Sequence, residues 1–224
     1  MDHRGIDYLG FDRVIKRGTG VVIEEDDNSL LLFDTISEAH FLACDQPDKG
    51  ISILDRHRDR NINLLMTTNC DTAKIAFDRY GFSQKLECYQ TAFFGDPPEE
   101  EFELSIKIAD MGDFPMLAAN YDLISPEEMK KVIARGSLLL GYKDDQLAGF
   151  IGEHLEGSIG MLYIFPEYRR MGYASMLEKY YFMKMIREGF TPFCQVEKDN
   201  TDSLNLQKKL GMTISENLIC WMWK

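Results

Sequence analysis

The chain has 224 residues, 25 lysines and arginines against 37 acids, a net charge of −12 and 45% hydrophobic residues. That is enough chain to bury a core as one large or two small domains. The acidic balance argues against nucleic acid or an anionic membrane as the main partner. No apolar run reaches membrane-spanning length, and no signal-peptide core opens the chain, so a cytoplasmic protein is expected.

In chain order, Ala39–Cys44 reads as a strand and leads into Pro47-Asp-Lys-Gly50-Ile-Ser52. Cys70–Gly81 reads as a helix closing on Tyr80-Gly81-Phe82, and Leu86–Phe93 as the next strand. Gly95-Asp-Pro-Pro-Glu-Glu-Glu101 is a rigid, acidic linker unable to continue a ladder. Phe102–Ile108 then alternates as a strand, and Met111–Tyr121 and Ser125–Arg135 read as helices. The second opens on Ser125-Pro126-Glu127-Glu128: a serine cap, proline at the first helical position and acids in the first turn. Ser137–Tyr142 and Leu147–Glu153 form a hairpin across Lys143–Gln146, and a turn at Glu156-Gly157 leads to the strand Met161–Phe165. After Pro166 comes a basic turn, then a helix from near Ala174 with Leu177, Tyr181 and Met185 on one face, ending at Gly189. The strand Phe193–Val196 precedes a short amphipathic helix carrying Ser203, Leu206 and Leu210 on one face, with Gly211 just past its end. Thr213–Ser215 and Leu218–Trp223 read as two final strands. The order describes a mixed α/β layer (an α+β mixed sheet).

The stretch from Gly160 to Ser175 carries the chemistry. The first amides of a helix lack intrahelical partners and lie at the positive end of its dipole, so the turn before it suits a diphosphate. Gly172 and Ala174 keep bulk away from the backbone N–H groups, and Arg169 and Arg170 add charge-assisted bonds. The spacing Arg169-x-x-Gly172-x-Ala174 after an apolar strand resembles the acyl-CoA pyrophosphate loop of the GNAT acyltransferases. Pro166-Glu167-Tyr168 in front resembles that superfamily's glycine N-acyltransferase-like branch. Asn200, Ser203, Leu206 and Gly211 match its second motif, and the two motifs together cover roughly residues 102–224. Cys70 to Phe82 lines up with Asn200 to Met212 at a constant offset. The N-terminal half therefore resembles a second, degenerate copy, with Pro47 in the arginine position and Asp45 and Asp48 set to repel a diphosphate.

The resemblance implies a tandem GNAT-like fold: a degenerate module over 1–96, a linker at 97–101 and an acyltransferase domain over 102–224. It implies acetyl-CoA (or another acyl-CoA) as co-substrate, no metal, and a small-molecule or peptide amine as acceptor, with a homodimer possible. Residues implied to hold the co-substrate are Leu162, Tyr163 and Ile164 on the strand, Arg169, Arg170, Met171, Gly172, Tyr173, Ala174 and Ser175 in the loop and helix start, and Asn200 and Ser203 in the second motif. The expected activity is N-acetyl transfer by direct attack; the alternative is a CoA-binding sensor without turnover. Gln207 stands where many relatives place a tyrosine acid, and Ser158 where the branch places a glutamate. Glu153 and Glu156 are the remaining catalytic candidates, beside structural or solvated roles and a base replaced by waters. Cys44, Cys70, Cys88, Cys194 and Cys220 lack metal-ligand spacing and read as reduced structural thiols, Cys194 included. His3, His40, His57 and His154 form no constellation.

Overall fold

The computed structural model describes residues 5–98 and 103–224, which form two compact units. The first takes residues up to Ala92 together with Gln195–Lys208 and Thr213–Lys224; the second takes Phe93–Cys194 and Lys209–Met212. The units thus do not follow the linear division at the linker, of which residues 99–101 lie outside the described residues, as does Phe102.

In the first unit the elements are α1 (Leu9–Lys16), β1 (Gly20–Asp26), β2 (Ser29–Asp34), β3 (His40–Cys44), α2 (Pro47–Arg56), β4 (Leu64–Thr67), α3 (Cys70–Arg79) and β5 (Gln84–Ala92). Pro47 does not sit in a loop: it takes the first position of α2, where its fixed φ and missing N–H cost nothing. α3 is capped by Asn69, whose side chain accepts the Thr72 N–H at 2.9 Å. The chain returns to this unit in β11 (Thr213–Trp223), one strand where the sequence reads as two. β11 runs antiparallel between β4 and β5, pairing Cys220 with both Thr67 and Glu87, and its ladder breaks register between Ile214 and Leu218. The residues between the two expected strands are a strand irregularity. Side chains alternate across this sheet and both faces are buried. Leu31, Leu42, Leu65 and Met222 pack with Ile51, Leu54 and Ala73 of α2 and α3. Leu30, Leu32, Phe41, Met66 and Trp221 pack with Phe11 and Val14 of α1.

The second unit holds β6 (Ser105–Ile108), α4 (Phe114–Asn120), α5 (Pro126–Ala134), β7 (Leu138–Lys143), β8 (Gln146–Glu153), β9 (Ile159–Ile164) and α6 (Tyr173–Arg187). β6 to β9 form an antiparallel meander. The β7–β8 hairpin turns on Asp144 and Asp145, both with positive φ, as a tight two-residue turn requires. α5 starts as its cap signal predicts, the Ser125 hydroxyl accepting the Glu128 N–H at 3.1 Å. In α6, Leu177, Tyr181 and Met185 are fully buried, and the Tyr181 hydroxyl donates to the Ser137 carbonyl at 2.9 Å. β10 (Phe193–Glu197) pairs in parallel with β9 at Cys194–Ile159, and α7 (Thr201–Lys209) follows.

Candidate active site

β9 is the strand that positions the site, and its geometry comes from a bulge. Phe150 faces Tyr163 and Gly152 faces Gly160, so Ile151 alone opposes both Met161 and Leu162. Met161 has a φ of 54°, uncommon for a side chain of that size, and it is buried. On its other edge β9 pairs with β10 only at Ile159, so Gly160 to Ile164 carry no ladder partner there among the described residues. An unpaired run of backbone N–H and C=O groups next to an anion loop is a place for an extended ligand arm to lie. Gly149 lets the two strands close together: a Cβ there would overlap the Tyr163 carbonyl oxygen and stand 2.7 Å from Ile164 Cδ1.

The loop after β9 fits a diphosphate. Pro166–Tyr168 form one 3-10 turn, Arg170 and Gly172 take left-handed φ values of 64° and 89°, and α6 begins at Tyr173. No side chain caps α6, so its first amides remain open to an anion. Left-handed residues alternating with ordinary ones turn successive N–H groups to one side. The Arg169 guanidinium lies 5.8 Å above the Tyr163 ring and donates through Nε to the Ile164 carbonyl at 3.0 Å, tying the loop to the strand end. Arg169, Arg170, Met171 and Gly172 are exposed, Ala174 and Ser175 half-buried, and Tyr173 buried beside Tyr168. Leu162, Tyr163 and Ile164 are half-buried on the strand. The second unit therefore brings together ten of the predicted co-substrate residues. Asn200 and Ser203 belong to the first unit, where the Asn200 side chain accepts the Ser203 N–H at 3.1 Å at the start of α7.

Of the two predicted carboxylates, Glu153 ends β8 with 3% exposure and its N–H bonds the Ser137 carbonyl at 3.0 Å. Glu156 is half-buried in the following turn and accepts the Ser158 hydroxyl. Burial pushes the Glu156 carboxyl above the usual carboxylate range, against the lowering pull of His154 and Ser158. The same turn carries His154, whose Nδ1 lies 3.8 Å from Glu128 Oε1. Burial opposes a charge on that imidazole, yet the Glu128 contact and the charges of Glu156, Glu128 and Glu153 outweigh it and raise the His154 pKa. Tyr121 follows α4, and burial pushes its hydroxyl up to about 12. Its ring meets Phe150 edge-on, and Phe150 stacks on Tyr163. His154 thus does belong to a constellation, contrary to the sequence reading. His154 lies well beyond Tyr121 and Glu128 in the chain, and no local motif marks the three. Gln207, in the expected acid position, is buried with 1% exposure.

The profile of the acetyltransferase (GNAT) family matches residues 87–212, more than half of the chain. The chain belongs to this family. No match to a curated protein was found. Among solved structures, a GNAT-family acetyltransferase assignment from Novosphingobium aromaticivorans is 14% identical, with 98% of each chain covered and a TM-score of 0.60. A GCN5-related N-acetyltransferase-like protein from Streptococcus suis is 16% identical over 96% of this chain and 92% of its own, with a TM-score of 0.56. A Drosophila protein is 16% identical over 88% of this chain and 74% of its own, with a TM-score of 0.65. At these identities the likeness is one of fold, and the fold is the GNAT acyltransferase fold. No described helix is long and apolar enough to cross a membrane.

Proposed function

We propose that this chain is an acyl-CoA-dependent N-acyltransferase that moves an acetyl group from acetyl-CoA to the primary amine of a small molecule or peptide in the cytoplasm. The observation that carries the reading is the run from Ile159 to Arg187: a bulged strand with one open edge, a left-handed loop and an uncapped helix start. The amides of 169–175 and the Arg169 and Arg170 side chains would hold the diphosphate. The open edge of β9 would seat the pantetheine arm, and the N–H groups of Leu162 to Ile164 would meet the thioester oxygen as charge develops on it. The thioester supplies an activated acyl carbon and a good leaving group. The amine must lose a proton, and the turn from Glu153 to Ser158, with its two carboxylates, lies next to the bulge where that proton would be taken. Gln207 supplies no proton of a phenol's kind to the thiolate, which favours a second reading, a CoA-binding sensor without turnover.

The two readings part on turnover. Incubation with acetyl-CoA and a panel of polyamines, aminoglycosides, amino acids and peptides is expected to release free thiol with at least one amine class. Binding of CoA without thiol release across the panel would favour the sensor.

We propose further that residues 1–96 are a degenerate copy of the same module. Asp45, Gln46 and Lys49 share an acidic cleft with Asp26 and Asp27. Gly50 packs so closely that a Cβ would stand 2.7 Å from the Cys44 sulfur and from Thr72 Cγ2. One CoA per chain is therefore expected; a titration resolving two equivalent sites would contradict this.

A further inference from the structure

We propose that His154 takes the proton of the attacking amine, oriented by Glu128 at Nδ1 and admitted by the bare face of Gly160, and that the carboxylates around it select a cationic amine as acceptor. This rests on the acyl-transfer reading above and names its proton acceptor and substrate class.

The placement comes from three elements of one unit. The Glu153–Ser158 turn is closed by the His154 N–H donating to the Ser158 carbonyl at 2.9 Å, and the Gly157 N–H to the His154 carbonyl at 2.9 Å. This fixes the His154 backbone at the entry to β9. On the β9 side, a Cβ at Gly160 would overlap His154 Nε2 and lie 2.6 Å from its Cδ2, while Cε1 stands 3.7 Å away. The Nε2 edge of the ring therefore occupies the space that any other residue at 160 would fill. On the opposite edge, Glu128 of α5 faces Nδ1. A carboxylate at Nδ1 favours the tautomer with its proton there, leaving the Nε2 lone pair facing the bulge. Leu162 lies two residues on from Gly160, roughly 7 Å along the strand, within reach of an amine set between imidazole and thioester. The half-buried ring keeps an open side to solvent.

The charged groups facing His154 are Glu128 from α5, Glu153 from the end of β8 and Glu156 from the turn, with the Ser158 hydroxyl donating to Glu156. Tyr121, whose hydroxyl feels Glu128 and Glu156, closes the side of α4. The largest charges acting on the imidazole are carboxylates. Such a surround attracts an ammonium and repels a carboxylate-bearing amine such as glycine. It also eases the chemistry, since the incoming R–NH3+ gives one proton to Nε2 and becomes a neutral nucleophile. The nitrogen lone pair then forms the C–N bond as the C–S bond breaks, and sulfur leaves with its electron pair. The second nitrogen proton goes to the thiolate, and the imidazolium returns its own to solvent.

The pH dependence follows with its sign. His154 must be neutral to act, and its surroundings raise its pKa above the ordinary value of about 6.5. Thiol release should therefore fall as pH drops through a titration lying above that value. The test measures kcat/KM against pH with acetyl-CoA and either spermidine or glycine, and CoA affinity by calorimetry, for the wild type, His154→Gln and Glu128→Gln. Wild type is expected to prefer spermidine. His154→Gln is expected to lose about 10²–10⁴ in kcat/KM together with the acidic limb, at unchanged CoA affinity. Glu128→Gln should lower kcat/KM by less than His154→Gln does and move the acidic limb to lower pH. Full activity with the acidic limb intact in His154→Gln, or an unmoved limb in folded Glu128→Gln, would overturn the role of His154 while leaving acyl transfer standing. A preference for glycine would overturn the substrate class. CoA binding with no turnover on any amine would instead defeat the acyl-transfer reading itself.

Discussion

Gly149→Val is expected to destabilise the fold by roughly 3 kcal/mol and lower the melting temperature by about 10 °C, since overpacking that cannot relax lies at the costly end of its range. The reason is the kind of neighbour it meets. The new Cβ would overlap the backbone oxygen of Tyr163 and stand 3.2 Å from Ile164 Cα, and backbone in a ladder cannot rotate aside as a side chain can. β8 and β9 would have to part where Gly149 pairs with Ile164, at the end of the strand that delivers the loop. CoA binding should fail along with stability. Thermal melts and calorimetry on the variant check both. A melting temperature within a degree or two of wild type would mean that the strands do not approach as described.

Gly172→Val is expected to act on function while sparing the fold. Nothing lies within 4 Å of a Cβ at 172, so space is no obstacle, but a φ of 89° is one that a β-branched residue strongly resists. The loop would relieve roughly 1–2 kcal/mol of strain by turning its peptide planes, and the amides would no longer converge. CoA affinity should drop at least tenfold, about 1.4 kcal/mol. Gly172→Asn, which tolerates left-handed backbone better, should keep more of the affinity. Unchanged affinity in the valine variant would refute the loop assignment.

What was legible in the sequence was what neighbouring residues decide. Ser125 at a cap, Asp144-Asp145 in a tight turn, Gly189 and Gly211 past helix ends, and the apolar face of α6 all rest on contacts within a few residues. The turn between β9 and α6 was legible for the same reason, since Pro166 and Gly172 set it locally. The first strands were harder. β2 is a continuous apolar run buried on both faces, which has no period to read, and β4 is only four residues long. β11 misled because Glu216 and Asn217 interrupt the run between two expected strands. There the Ser215 hydroxyl donates to the Asn217 carbonyl at 2.7 Å and the Asn217 amide donates to Asp7 at 3.0 Å, so the irregularity is held without reversing the chain. Its pairing with β4 and β5 is a long-range choice that no local pattern announces. The same applies to Tyr121, Glu128 and His154, which three separate elements bring to one bulge.

Backbone hydrogen exchange with and without CoA tests the central claim most directly, because the amides themselves are the proposed donors to the diphosphate. Amides from Arg169 to Met176 and along Gly160 to Ile164 are expected to slow on binding, while those from Asp45 to Ser52 stay unchanged. Protection at 45–52 instead, or binding that leaves 169–176 exchanging as in the free protein, would contradict the account.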